Sequence, residues 1–328
     1  MQFNNGIQKV QEKSSIKSGV TQAGGRELYQ KVSHAEAAAL KITTVDSEGL
    51  PAEYTRIFLP HQRLILLGGG YISFELCRFA AELDFEVIVV DDRKEFARQG
   101  RFLGASQVIC GDYPTAIRQL QITPYDFVAV MTRGHAYDGF CLRSILDGGM
   151  PYYLGLVGSR KRTSLLKESL EAEGYAQEML EQIHTPIGLD IRARTPAEIG
   201  ISILAQLIAC RNSQTPKIEG MLDFTNSDLQ LLKFMAETEK PYMLAVVIAK
   251  EGSAPVSTGA MMAVNREGIA GGTIGGGSGE FEIAGRAMHL LSQGKSAMLE
   301  VNMTNEAAGN LGMVCGGVMK VWLEYAGF

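Results

Sequence analysis

Three observations predict an α/β chain built from a Rossmann-like parallel-sheet domain and a small glycine-rich α+β domain. Short apolar runs alternate with helical segments from residue 64 onward. A triple glycine, Gly68-Gly69-Gly70, stands where the first of those runs turns into a helix. Finally, 16 of the 37 glycines fall in the last 88 of 328 residues, among enough Val, Ile, Leu and Met, with the lone Trp322, to pack a core.

The elements follow in order. Residues 1–60 read as an N-terminal arm and lead-in, and 1–30 are polar and Gly/Ser/Gln-rich, so they are expected to be loosely ordered. LILLG (64–68) is a buried parallel strand by its unbroken apolar run. ISFELCRFAAEL (72–83) has apolar residues at helical spacing. Further strands are predicted at EVIVVDD (86–92), QVICGD (107–112), DFVAVMT (126–132) and YYLGLVG (152–158), with helices around 115–120, 137–147 and 160–173. Strands separated by helices imply βαβ units and one parallel sheet. Thr195-Pro196-Ala197-Glu198 is a capping box with proline at the first helical position. The ISILAQLIAC run behind it (201–210) is apolar almost all round and predicts a buried helix. This closes a domain at 61–212. Residues 213–240 form a linker and a capped amphipathic helix from Ser227 to about Glu237. The last domain, 241–328, reads strand (242–249), strand (260–265), glycine turn, helix (280–292), strand (297–302), loop and strand (318–325).

Composition excludes several classes of function. A net charge of −5 gives no reason to expect nucleic acid or an anionic membrane as partner. No apolar run approaches the roughly 18 residues needed to span a bilayer. The N-terminus, MQFNNGIQKVQEK, lacks the apolar core of a signal peptide. Five widely spaced cysteines without a C-x-x-C fit a reducing cytoplasm and argue against a structural zinc site or an iron–sulfur cluster.

Four segments of the 61–212 domain carry candidate chemistry. Gly68-Gly69-Gly70 lies where a nucleotide-binding fold places its phosphate turn, with the pyrophosphate facing the helix N-terminus. Asp91, followed by Asp92, ends the second strand where an acid would meet ribose hydroxyls; Ser73 replaces the usual third glycine. Gly158-Ser159-Arg160-Lys161-Arg162 brings three cations and a hydroxyl to another helix start. Cations oppose the helix dipole there, so a bound anion explains them better than a solvated turn does. Thr132, His135 and Asp138 follow a third strand and would line the same crevice. The bland alternative is that Asp138 caps the helix and His135 is an exposed turn residue.

In the last domain, Gly275-Gly276-Gly277-Ser278-Gly279-Glu280 leads into a helix and could form an anion nest of backbone N–H groups. Tight turns and close packing are the ordinary use of such glycines. Cys315-Gly316-Gly317 places a thiol among small residues, where a thiolate could serve as a soft metal ligand, although buried inert cysteines are commoner.

Together, LILLGGGYIS, VVDDRKEFA, MTRGHAYD, LGLVGSRKR, HTPIGLDIRARTPAEIGISILAQLI, GSAPVSTGAMM, GGTIGGGSGE and MVCGGVMKVWLE resemble the xanthine dehydrogenase accessory factor family, also called the XdhC/CoxI family. The resemblance runs through 64–211 and 242–325. It implies a cytoplasmic, homodimeric maturation chaperone and not the hydroxylase itself. Such a protein binds the molybdenum cofactor (molybdopterin) and helps its sulfurated form enter a xanthine dehydrogenase-type molybdenum hydroxylase, with a cysteine desulfurase as a further partner. On that reading Gly68, Gly69, Gly70, Asp91, Asp92, Gly158, Ser159 and Arg160 hold the phosphate or nucleotide end. Thr132, His135 and Asp138 line the crevice. Gly275, Gly276, Gly277, Ser278 and Glu280 approach the metal end with Cys315 and Gly316, Cys315 being the candidate molybdenum ligand.

Four features depart from the family's pattern. The phosphate turn commonly reads GAGHV. Asp commonly precedes the histidine where Arg133-Gly134 stand. A cysteine commonly occupies the position of Ser278, and the glycine-rich module commonly comes first. The alternatives are an NAD(P)-dependent Rossmann oxidoreductase and a cofactor-free docking protein. Against the oxidoreductase, no Tyr-x-x-x-Lys pair or His–Asp dyad is clearly placed for hydride chemistry.

Overall fold

The structure is a computed structural model, and it describes residues 15–16, 22–34, 36–45, 50–212, 220–222, 228–252, 256–302 and 317–327. The chain divides into two units, Gln62–Gln214 and Met1–His61 with Thr215–Phe328.

The Gln62–Gln214 unit carries five parallel strands: β4 (Arg63–Leu67), β5 (Glu86–Asp91), β6 (Ala105–Cys110), β7 (Phe127–Val130) and β8 (Tyr153–Leu156). Their order is β6-β5-β4-β7-β8, so the chain reverses direction across the sheet between β4 and β7. Strand residues alternate between two buried faces. Ile65, Leu67, Ile88, Val90, Val128 and Val130 pack with residues of α3 (Tyr113–Leu120) and α4 (His135–Leu146). Leu64, Leu66, Val87, Val89, Phe127 and Ala129 pack with residues of α2 (Tyr71–Glu82) and α7 (Pro196–Asn212). A sheet covered on both faces explains the continuous apolar runs. After β8 come α5 (Arg160–Ala172) and the short α6 (Gln177–Glu181). The α/β class and the Rossmann-like sheet predicted from sequence are therefore present.

α7 begins at Pro196, and its capping box is formed: the Glu198 carboxylate accepts from the Thr195 N–H at 3.0 Å, and Thr195 Oγ1 accepts from the Glu198 N–H at 3.3 Å. The expectation of an all-round buried helix fails. Only Gly200, Ser202, Ile203 and Leu207 are buried, and Ile201 is 51% exposed. An outer-layer helix has one face on the sheet, however apolar its other face.

The second unit holds an antiparallel sheet of order β11-β10-β9-β13-β12. Its strands are β9 (Tyr242–Gly252), β10 (Met261–Asn265), β11 (Gly268–Gly272), β12 (Ala297–Asn302) and β13 (Gly317–Ala326). α9 (Gly277–Gln293) covers one face through Ile283, Ala287 and Leu291. The segment expected as an arm and lead-in packs in the opposite core. β1 (Ser15–Ile16), β2 (Ala38–Val45) and β3 (Pro51–Phe58) form a small sheet. α1 (Gln22–Ser33) packs on α8 (Leu229–Glu237). Leu28, Val32, Ala38, Leu40 and Ile42 join Leu232, Met235, Tyr242, Leu244 and Trp322 in one cluster. A Cβ at Gly25 would lie 2.6 Å from the Met235 carbonyl oxygen, so glycine permits the α1–α8 approach. The α8 cap is Asp228, one residue after the serine expected to open the helix, and it accepts from Gln230 N and Leu231 N. Part of the expected glycine turn is the edge strand β11, paired with β10.

Candidate functional site

The β4–α2 turn, where the sequence places a phosphate turn, depends on its glycines. Gly68 has φ +123°, and a Cβ there would overlap the Met131 carbonyl oxygen at the end of β7. Only glycine meets both conditions. A Cβ at Gly69 would lie 2.8 Å from the Phe96 carbonyl oxygen, whereas Gly70 faces open space. Ser73, in place of a third glycine, is buried and donates its hydroxyl to the Gly68 carbonyl. The first-turn N–H groups of α2 have no intrahelical acceptor, as at any helix start.

The acid at the end of β5 is already engaged. Asp91 has no exposed surface. Its carboxylate accepts from Gly69 N at 2.7 Å and from Arg93 N, Nε and Nη2, each at 2.9 Å. Burial would push this carboxyl up, but the hydrogen bonds from Arg93 and Gly69 outweigh it and hold the group below its ordinary range. The carboxylate expected to meet a ribose is thus engaged by the chain's own Gly69 and Arg93. Next to it, Arg133 donates to Asp92 Oδ2 at 2.7 Å and to the Tyr137 hydroxyl at 2.8 Å. This ion pair ties the end of β5 to the end of β7.

Thr132, His135 and Asp138 also divide. Asp138 is buried, accepts from Thr132 Oγ1 at 2.5 Å, and receives Arg162 from α5. Burial pushes its carboxyl up, and those hydrogen bonds offset the effect only in part. His135 is exposed and lines a cleft of about 480 Å³ with Ser159, Lys161 and Arg162. The pair does not form a shared ligand set, and among the described residues no group of three potential metal-ligating side chains occurs.

At the β8–α5 junction, Ser159 caps the helix by accepting from Arg162 N at 3.4 Å. Gly158 backs onto Thr163, whose Cγ2 would lie 2.8 Å from a Cβ. Arg160 is exposed, with no ion pair among the described residues. Gly158, Ser159 and Arg160 line a second cleft, about 610 Å³, together with Ile72, Val157, Ile199, Ser202 and the 186–193 loop. Sequence reasoning missed that loop, together with Arg93 and Arg162 as partners of the buried acids. The visible signals were Arg93 two residues after Asp91, and the Pro186–Gly188 turn chemistry.

In the other unit the glycine run closes on the chain's own carboxylate. Gly275, Gly276 and Gly277 have φ of +116°, +72° and +70°. Glu280 accepts from Thr273 Oγ1 at 2.5 Å, Ile274 N at 2.9 Å and Gly276 N at 3.1 Å. Burial raises this carboxyl, but the hydrogen bonds prevail and hold it below its usual range. The anion nest therefore exists, with Glu280 in it. Gly275 also borders a cleft of about 340 Å³ shared with Arg56 and Phe58. The Ser278 side chain, Cys315 and Gly316 lie outside the described residues.

Comparison with known proteins fits this architecture. Residues 64–207 match the XdhC Rossmann domain, and residues 235–302 match the XdhC and CoxI family, in that order along the chain. The uncharacterized protein YqeB of Escherichia coli (strain K12) is 28% identical over 169 residues, 51% of this chain and 31% of that protein. A probable xanthine dehydrogenase subunit of Bacillus subtilis (strain 168) is 30% identical over 152 residues, 46% of this chain and 44% of that one. The molybdenum cofactor insertion chaperone PaoD of Escherichia coli (strain K12) is 33% identical over 64 residues, 20% of each chain. The chain thus spans less than half the length of each of these relatives.

Proposed function

Because the chain belongs to the XdhC and CoxI family, we propose that it is an accessory protein that carries molybdenum cofactor to a molybdenum hydroxylase of the xanthine dehydrogenase type. The cargo is an anionic, flat heterocycle with a phosphate tail, and it supplies the hydroxylase's redox centre once delivered. The observation that carries the reading is the 610 Å³ cleft beside Gly158, Ser159 and Arg160, which combines apolar walls with cations free of ion pairs among the described residues. A cleft of that size and mixture suits a small organic anion. In this reading Arg160 and the α5 N-terminus hold the phosphate, and Gly70 leaves room for the cargo at the neighbouring α2 start. Sulfuration of the cargo, a cysteine desulfurase partner, homodimer formation and a molybdenum contact through Cys315 belong to the same proposal.

The NAD(P) alternative has less support, because the carboxylate that would read a ribose, Asp91, is filled by Arg93 and Gly69. The test is purification of the full chain from a cofactor-competent host, followed by molybdenum analysis and pterin fluorescence. Near-stoichiometric pterin with molybdenum is the expected result. Turnover of NAD(P)H with a small substrate, in protein free of pterin, would overturn it.

A further inference from the structure

The 186–193 loop has no role in the family-level reading, yet it is the most deliberately held segment around the 610 Å³ cleft. Ile187 N donates to the Leu156 carbonyl of β8 at 3.0 Å. Gly188 N donates to Gln206 Oε1 at 2.8 Å, and Ser202 Oγ donates to the Leu189 carbonyl at 2.6 Å. Gly188 has φ +94°, and a Cβ there would overlap Ser202 Oγ. Arg192, a non-glycine residue, sits at φ +60°, an uncommon conformation that persists only where the surroundings impose it. The loop is therefore pinned to β8 and α7, and its tip is set in a strained turn.

That tip brings two charged residues, Asp190 and Arg192, to the lining of the cleft, which Arg160 also lines. Among the described residues none of the three enters an ion pair, with one another or elsewhere, whereas the neighbouring Arg162 is paired with Asp138. Among those residues the Asp190 carboxylate accepts only a long hydrogen bond, 3.4 Å, from Arg192 N. Ile72, Val157, Ile187 and Ile199 supply apolar walls. One carboxylate and two cations in a cleft with apolar walls combine a group that can read donors with groups that can hold an anion.

We infer that this cleft recognises a bicyclic 2-amino-4-oxopyrimidine ring carrying an anionic tail, with Asp190 as the residue that reads the ring. Such a ring, found in pterins and in guanine, presents a ring N–H and an exocyclic NH₂ side by side. A carboxylate accepts both in a bidentate pair, and no other side chain in the cleft offers two coplanar acceptors. Arg160 and Arg192 hold the tail. The inference rests on the proposed cargo for its pterin arm and on the cleft alone for its guanine arm.

The test uses the full chain, with pterin-6-carboxylate as a fluorescent probe and GMP and AMP as competitors. Wild type should bind the probe, and GMP should displace it at concentrations where AMP, which lacks the ring's donor pair, does not. Asp190→Asn should weaken the probe about tenfold or more and erase the GMP-over-AMP preference. Arg192→Ala should weaken the anionic probe while leaving unsubstituted pterin within about twofold. Unchanged thermal unfolding of both variants, expected for exposed side chains, separates recognition from folding.

No probe binding by wild type, equal competition by GMP and AMP, or an unaltered Asp190→Asn would each overturn the inference. The same variant purified from a cofactor-competent host separates it from the carrier function. Full molybdenum and pterin content in Asp190→Asn removes Asp190 and keeps the carrier. An empty wild type that still binds the probe through Asp190 removes the carrier and keeps ring recognition.

Discussion

Removing the Arg93 side chain tests whether Asp91 is a structural or a ligand-binding acid. The carboxylate has no exposed surface and receives four N–H groups, of which Arg93→Ala deletes two, Nε and Nη2. It also removes the guanidinium that stacks 3.6 Å from the Phe96 ring centroid. Breaking a buried ion pair from one side typically costs about 3–5 kcal/mol. Here the guanidinium is 23% exposed and two backbone donors remain, so the expected loss is lower, about 2–3 kcal/mol.

For a unit of this size each kcal/mol moves the midpoint by roughly 2–4 °C, so thermal unfolding of the full chain should show its Gln62–Gln214 transition about 4–12 °C lower. The pH dependence has a definite sign. Asp91's folded pKa is depressed, so its stabilisation is present above the ordinary carboxylate value of about 3.9 and is lost as pH falls through the folded one. The wild-type advantage over Arg93→Ala should therefore narrow on acidification towards pH 3. A double-mutant cycle with Asp91→Asn should show coupling above about 1 kcal/mol. A loss under 0.5 kcal/mol with no coupling would refute the structural assignment and return Asp91 to the ligand site.

Other substitutions have equally specific outcomes. Asp138→Asn should cost less at pH 7 than Asp91→Asn, because burial holds the Asp138 carboxyl above its ordinary value and its charge is already disfavoured; chemical denaturation of the two variants compares them. Wild-type Asp138 contributes increasing stability as pH falls from its raised folded value towards its unfolded one, the opposite sign to Asp91. Glu280→Gln should destabilise the second unit by about 1–2 kcal/mol at pH 7, since a neutral amide accepts the Thr273, Ile274 and Gly276 donors less strongly. That deficit should shrink as acid protonates the wild-type carboxylate, read by denaturant unfolding at two pH values. Gly68→Ala should cost more than about 3 kcal/mol or prevent soluble expression, because it combines a positive φ with overlap on the Met131 carbonyl.

The parallel sheet was readable because its signal is local. LILL, EVIVV and FVAV are buried on both faces, and each stands beside a helix whose spacing is equally plain. The N-terminal segment was not readable for the complementary reason. Leu28, Val32 and Leu40 are sparse among polar residues, and the surface they cover belongs to α8 and β9, some two hundred residues later in the chain. A glycine-rich run likewise conceals strand β11, which pairs through backbone groups that glycine retains. Residue types pointed to Asp91 and Asp138, but type alone does not say whether a carboxylate faces solvent or an arginine. Asp91 and Asp138 are buried and receive Arg93 and Arg162, whereas Asp190 is exposed and has no ion pair among the described residues.

That difference bears on how a nucleotide-binding sheet could serve a carrier. At the β5 end, Asp91 is filled and Arg133 bridges Asp92 to Tyr137, so the positions that would read a ribose hold the sheet edge together instead. At the β8 end, Arg160, Asp190 and Arg192 border a cleft without ion pairs among the described residues. A redox enzyme needs both ends, because its cofactor stretches across the strand reversal between β4 and β7. A carrier needs one, and gains from holding its cargo at an edge where a second protein can reach it. With the proposed cargo, the two ends are parts of one arrangement: the filled Asp91 would offer a ribose no free carboxylate, and the open cleft would leave the ring and its phosphate accessible for transfer.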